Sequence, residues 1–592
     1  MTLQGLYRKY ENGIWAGIMV ALQVILLGIC FDIYYDLNDD MMIKDIVTGI
    51  YSGEPDGHNM QTLYVLGAFI SLGYKLCRTV PWYGLFLCLC QFGCFYLAGV
   101  RLCGLVDKKA GKVMGMVFLA LFFWAVWLPH LVNVQYTITC TMLSATAVFL
   151  FLTTPQGLNA QQFVVKNIPS VVLVILAYQL RTEMLLLTFP FIGMAGMIRW
   201  AEEKEIFAKE NWIKYGSVLG IMLGGMLVSQ SVDLITYGSG EWKQFRDFFD
   251  ARTTVYDFYP EVVTQDVYRD DLTGLGITGT QQTLLRNYNF GLDEDIDTEL
   301  LERAAEYATE SVGGARDWKA VLSKSVRFYV YRTFHGDDGP YNMIVLWAYG
   351  MAFFAGICAA RERTDENVVR RYAFLWQLGL LAVMRSAIWL FILVRGRDPE
   401  RITHSLYLVE FVLLMGMLLD LLRGISRKSG VLRGMAVLLL VVFVWNVPGR
   451  VGQVRADQGR RSQINQSWYA IDAYCREREG NFYFEDVYST VAFSQKMFAG
   501  DGNMYANYDI LGGWMCKSPL YRKKLARYDM GETDTALLEK DNVYLIMSDA
   551  EAEERGFDWI TGHYAAKGID VTVRHSDTIN EYYKVYHIDR VK

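Results

Sequence analysis

The chain has 592 residues, 53% of them hydrophobic and 20% charged, with 57 Lys and Arg against 63 Asp and Glu for a formal charge of -6. That length exceeds one ordinary domain, so low a charged share argues against a wholly water-soluble protein, and the near-neutral balance leaves no basic field for nucleic acid. With 52 Gly and 11 Pro, disordered, low-complexity and collagen-like classes fall away as well.

The first apolar run, Gly13–Phe31, follows Arg8 and Lys9 and lacks a small-residue cleavage site. It reads as a retained signal anchor with the N-terminus in the cytoplasm. Leu63–Leu76 is short for a span and reads as a re-entrant or interfacial helix. Then come Trp82–Cys103, Val113–Leu128, Val134–Thr153, Ile168–Leu180, Met184–Trp200, Tyr215–Ile235, Tyr341–Ala360, Tyr372–Val394, Ser405–Leu422 and Val431–Val447. A bilayer core needs roughly 20 apolar residues, so about 11 to 13 spans are expected.

Lysine and arginine fix the expected orientation. Lys108, Lys109 and Lys112, then Arg199, Lys204, Lys209 and Lys214, then Arg361, Arg363, Arg370 and Arg371, then Arg423, Arg427, Lys428 and Arg433 fall on one side if these spans alternate. That side is read as cytoplasmic, and counting Leu63–Leu76 as a span would break the pattern. The loops at about 32–81, 236–340 and 395–404, and everything after residue 448, then face outward. A transmembrane module over 1–447, carrying a first outward loop and a central insertion with helical stretches Glu241–Phe249 and Thr298–Glu310, precedes an extracytoplasmic domain over 448–592. In that domain helix-like Ser467–Arg478, Pro519–Tyr528 and Glu551–Lys567 alternate with strand-like Asn481–Tyr488, Asn542–Met547, Ile569–Arg574 and Tyr582–Ile588. The expected fold is therefore a mainly α polytopic bundle in the plasma membrane with a C-terminal α/β domain.

Eight of the ten cysteines lie in or beside apolar runs, where a thiol packs as a small hydrophobe. Cys88, Cys90 and Cys94 have no His or acidic companion for a metal, while Cys475 and Cys516, in polar sequence, are the one pair placed to bridge outside the cell.

Four placements of charge suggest chemistry. Asp32, Asp36, Asp39 and Asp40 follow the first span within nine residues, with His58 and Asn59 further along the same loop. Carboxylates at a membrane mouth are costly unless they meet water, a cation or a substrate, and can serve as a general base or hold a divalent cation. A solvated anionic loop is the plain alternative. Second, Arg181, Glu183, Arg385 and Glu410 interrupt apolar spans, either facing a cavity or, for Arg385 with Glu410, pairing with each other. Third, Arg395, Arg397, Arg401 and His404 crowd an outward loop, a set suited to a lipid phosphate or to the acidic loops nearby. Fourth, Glu241–Pro260, with Arg252, mixes Trp, Phe and Tyr with charge, as sugar-stacking platforms and interfacial anchors both do. Walker A, Rossmann, HExxH and GxSxG signatures are missing. The energy for any reaction would have to arrive with the substrate.

An N-terminal span, a large loop with the acidic pair Asp39-Asp40 near the membrane, the return segment at His58-Asn59 and a soluble C-terminal domain together resemble the GT-C class of membrane glycosyltransferases. The chain also looks like large polytopic proteins of Gram-positive bacteria, in Trp82-Tyr83-Gly84, Gly396 to Arg401 and Asn507 to Trp514. GT-C members are expected to use a segment such as Leu63–Leu76 as a true span, a point of departure. The resemblance implies transfer of a sugar from a polyprenyl-phosphate donor to an extracytoplasmic acceptor such as a wall polymer or surface protein. Asp39 or Asp40 would deprotonate the acceptor or hold a Mg or Mn ion. Arg397 and Arg401 would bind the donor phosphate, and Arg181, Arg385 and Glu410 would line the cavity below. A polysaccharide polymerase or ligase and a lipid-linked oligosaccharide transporter are the alternatives.

Overall fold

The computed structural model describes residues 3–36, 38–362, 368–423, 430–499 and 506–591. Among them, ten helices are long and apolar enough to cross a membrane by length and composition, from Tyr10–Cys30 to the 48-residue Gly430–Glu477. The expected span Val134–Thr153 folds as the 17-residue helix Tyr136–Leu152 at the hub of the bundle. It is buried almost throughout, so its backbone needs no lipid-facing length of its own. Its Thr139, Thr141 and Ser144 hydroxyls bond to carbonyls within the helix, which satisfies polar groups that would be costly at membrane depth.

Contacts between helix ends sort the connections into two sets. At one end Lys112 meets Glu11 at 3.1 Å, Arg199 donates to the Thr154 carbonyl at 2.9 Å and Arg370 reaches the Glu203 carbonyl. Most of the Lys and Arg expected to share a side cluster here; Arg363, Arg427 and Lys428 lie outside the described residues. At the other end β1 (Tyr34–Tyr35) pairs in parallel with β2 (Asn133–Val134), and Arg181 binds Gln61. The first loop, the insertion and the C-terminal region gather there, making it the loop end.

Leu63–Leu76 forms the 13-residue helix Tyr64–Leu76, whose ends both stay at the loop end. Leu63 N–H donates to Gln179, Tyr64 N–H donates to Asp233, and Gly73 packs on Trp82 where the next span begins. Phe69, Leu72 and Leu76 point outward, as in an interfacial helix.

The expected boundary at 447/448 falls inside the helix Gly430–Glu477, which would extend about 72 Å at 1.5 Å per residue. It leaves the bundle at the loop end and supplies Trp468, Ile471 and Cys475 to one face of a five-stranded sheet. That sheet comprises β3 (Phe482–Glu485), β4 (Tyr508–Ile510), β5 (Val543–Ser548), β6 (Val571–Thr578) and β7 (Tyr583–Arg590) in the order β4-β3-β5-β7-β6. The first three are parallel, and β7 and β6 continue antiparallel. Short β4 was not legible as a strand, and the stretch read as one helix over Glu551–Lys567 is two, Asp549–Arg555 and Asp558–Ala566, broken at Gly556 with φ 61°. Both helices expected in the insertion form, over Gly240–Thr253 and Thr298–Tyr307.

The other sheet face shares one core with the insertion, Phe482, Phe484 and Leu545 packing with Phe248, Val255, Phe290 and Leu301. Cys475 and Cys516 lie on opposite faces and are both free, so the bridge that their polar setting allowed does not form.

Candidate functional site

Asp39 and Asp40 open the helix Asn38–Thr48, where first-turn carboxylates are favoured by the helix dipole. Neighbouring helical residues point about 100° apart, and these two diverge accordingly. Asp40 is fully buried: its Oδ1 accepts from the Tyr83 hydroxyl at 2.7 Å and the Tyr136 N–H at 3.2 Å, while Oδ2 has no partner among the described residues. Burial pushes the Asp40 carboxyl well above the ordinary carboxylate range, with the Tyr83 bond opposing. Asp39 is only half-buried and makes no hydrogen bond or ion pair among the described residues. Its charge is felt by Tyr136, Arg181 and Tyr288.

Two arginines, Arg181 and Arg401, stand at this mouth, and a third, Arg252, lies within the insertion. Arg181 is the single extended residue between the helices Ala160–Leu180 and Thr182–Ala201. It donates to Gln61, pairs with Glu183 at 3.1 Å and lies 5.3 Å over the Tyr136 ring. Glu183 itself is largely exposed. Arg401, in the first turn of Glu400–Arg423, is half-buried, and among the described residues it has no bonded partner. Asp36 and Tyr136 both feel its charge.

Arg252 comes from the insertion. It is buried, donates to the Tyr288 hydroxyl, sits 5.6 Å over Tyr256 and 5.3 Å over Tyr288, and leaves Nε unpartnered. Tyr288 has φ 66°, a left-handed conformation costly for an aromatic residue. Its carbonyl presses on Gly512, where an added Cβ would come within 1.9 Å, and Gly291 N–H donates to Leu511 at 2.8 Å. The segment Asn507 to Trp514 is thus a joint between the C-terminal sheet and the insertion. Asn507 Nδ2 holds three carbonyls, those of Cys475, Arg478 and Asn481.

The remaining expected residues engage one another or structural partners. Arg385 Nε meets Glu410 Oε2 at 2.9 Å, Glu410 Oε1 accepts from Tyr349 at 2.8 Å, and Arg385 also donates to Tyr329 and Thr333. This is the internal ion pair weighed above. Arg397 pairs with Asp257 at 3.4 Å and lies over Phe258, so it and Arg401 do not share one environment. His404 is hydrogen-bonded to His130 at 3.0 Å and stacked on Tyr341. His58 bonds Asp56 at 2.5 Å and stacks on Trp242, which ties the first loop to the insertion. Burial pushes the Asp56 carboxyl up, and the His58 hydrogen bonds outweigh it, leaving Asp56 below its ordinary range.

Arg332, Arg461 and Gln61 were not singled out from sequence. Arg332 chelates Asp338 with two bonds of 2.6 Å and reaches Asp398 at 2.7 Å. Arg461 bridges Asp36 and Asp457 at 2.8 Å each. Neither a lone arginine nor a loop glutamine carries a local mark in sequence of the partner it meets in the fold.

Among the described residues no group of three or more His, Cys, Asp or Glu side chains could hold a metal ion. Asp39 and Asp40 diverge and offer no shared seat for Mg or Mn. Fold and composition define a polytopic helical membrane protein with about ten candidate spans. Compared with protein-family models, curated proteins and solved structures, the chain matches none.

Proposed function

We propose that the chain is a membrane glycosyltransferase of GT-C-like organisation, moving a sugar from a polyprenyl-phosphate donor to an extracytoplasmic hydroxyl acceptor on a surface polymer or protein. In this reading the N-terminus is cytoplasmic and the loop end faces outward, because the opposite end collects the Lys and Arg. One observation carries the functional part: Asp39 is a half-buried carboxylate without a bonded partner among the described residues, in the helix turn whose Asp40 is bonded to Tyr136, the residue over whose ring Arg181 lies.

The reaction forms a bond from the acceptor oxygen to the sugar anomeric carbon and breaks the bond from that carbon to the phosphate oxygen. Asp39 takes the acceptor proton as general base. Arg401 and Arg181 offset the charge that grows on the departing polyprenyl phosphate. Asp40, bonded to Tyr83 and Tyr136, acts as a positioning residue that fixes the first turn carrying Asp39.

The test is mass spectrometry of a polyprenyl-phosphate sugar pool incubated with the full chain in proteoliposomes. Acceptor-dependent release of polyprenyl phosphate by the wild type, lost in Asp39→Asn, is expected. Movement of intact donor across the bilayer without cleavage would instead mark a transporter.

A further inference from the structure

The helix Trp318–Phe334 ends the insertion in what sequence patterning reads as an outward loop, and it is not among the ten candidate spans. Its N-terminal side is tied to the insertion by Arg316, paired with Glu261 at 3.1 Å. Its C-terminal end is tied to the bundle: Tyr329 and Ser386 hydroxyls lie 2.9 Å apart, and Thr333 accepts from Arg385 at 3.2 Å. Ser386 lies eight residues before the loop-end terminus of Ala373–Val394, a depth of about 12 Å at 1.5 Å per residue. The next span, Tyr341–Glu362, starts beside it, Asn342 donating to the Arg332 carbonyl at 3.1 Å. The helix therefore descends from the insertion along the outside of the bundle to well within the span of its neighbour.

Its surface matches that path. Trp318, Leu322, Val326, Val330 and Phe334 recur every fourth residue, forming one stripe, and are 41% to 63% exposed. The exposed cations Lys319, Lys324 and Arg327 all occupy the first ten residues and have no ion-pair partner among the described residues. Beyond Arg327 the helix's exposed side chains are Phe328, Val330, Tyr331, whose hydroxyl donates to Asp337 at 2.8 Å, and Phe334, while Arg332 turns inward to Asp338 and Asp398. The stripe continues the apolar outer surface of Ala373–Val394, where Val383 and Phe391 are also exposed.

We infer that Trp318–Phe334 is a lipid-embedded half-span that seats its apolar stripe in the bilayer, with Lys319, Lys324 and Arg327 at the level of the lipid phosphates. Tryptophan at the upper end, basic residues beside it and mainly apolar exposed side chains from Phe328 to Phe334, ahead of the polar turn at His335 and Asp337, give the depth order of a membrane interface. The inference concerns the lipid contact of this helix and does not depend on the glycosyltransferase reading.

The experiment places a genetically encoded nitroxide amino acid, which spares the native cysteines, at Val326 or Val330 of the full chain in phosphatidylglycerol–phosphatidylcholine nanodiscs. Val383 on a span and Val267 in the insertion serve as lipid and water references. Preferential broadening by oxygen over a water-soluble nickel chelate, at a ratio within about twofold of Val383, is expected. A nickel-accessible label resembling Val267, or one that neither reagent reaches because protein covers it, would overturn the inference. Labels at both positions guard against a single variant that fails to fold.

Discussion

The bundle carries two kinds of ionisable residue, and they behave oppositely. Within the spans, Arg385 and Glu410 meet each other, Tyr349, Tyr329 and Thr333 and are almost wholly enclosed. At the mouth, Asp39 and Arg401 are half-buried and bond to nothing described. Sequence alone could treat both groups as cavity lining, because each is a charge in apolar surroundings. Their partners separate them: a charge whose hydrogen bonds are filled from within holds the architecture, whereas one without a bonded partner among the described residues is the kind the proposed reaction would use.

The sharpest way to break that contrast is to unpair the internal set. Glu410→Ala leaves Arg385 buried without its carboxylate, a loss of about 3–5 kcal/mol, read as a large fall in Tm of the detergent-purified chain. Arg332→Ala, which strands Asp338 and Asp398 together, is expected to follow closely. A next, smaller effect belongs to Gly512→Ala. The added methyl meets the Tyr288 carbonyl, so the joint between sheet and insertion must shift at about 1–3 kcal/mol, seen as faster proteolysis within the insertion.

Glu485 supplies a pH test away from the membrane. Burial and the neighbouring Asp509 push its carboxyl up to about 8. The folded state then binds a proton the unfolded state releases near the ordinary glutamate value, so stability falls as pH rises from there to about 8 and levels off above. Thermal unfolding followed across that window should show the decline in the wild type and a flatter profile in Glu485→Gln.

The contrast also explains how much was legible beforehand. Apolar run length located the spans, and Lys and Arg in the connections foretold which helix ends gather, because both signals are local. The same charge count agrees with both ends of Tyr64–Leu76 lying at the loop end. The hub helix Tyr136–Leu152 was read as an ordinary span because a run of apolar residues does not reveal whether protein or lipid surrounds it. Trp318–Phe334 escaped notice for the reverse reason: Lys319, Lys324, Arg327 and Arg332 dilute its apolar stripe below a span's signature. Among the expected residues, types pointed to Asp39, Arg181 and Arg401, but the burial of Asp40 against Tyr83 and Tyr136 and the pairing of Arg397 with Asp257 are tertiary facts that no spacing rule encodes.

The most direct measurement sets Asp39→Asn beside the wild type in one preparation, recording Tm and the acceptor-dependent release of polyprenyl phosphate from a lipid-linked sugar. Asp39 holds no bonded partner among the described residues, so its substitution should leave stability within about 0.5 kcal/mol while release falls by about 100-fold or more. Wild-type release from a normally folded Asp39→Asn chain would contradict the account.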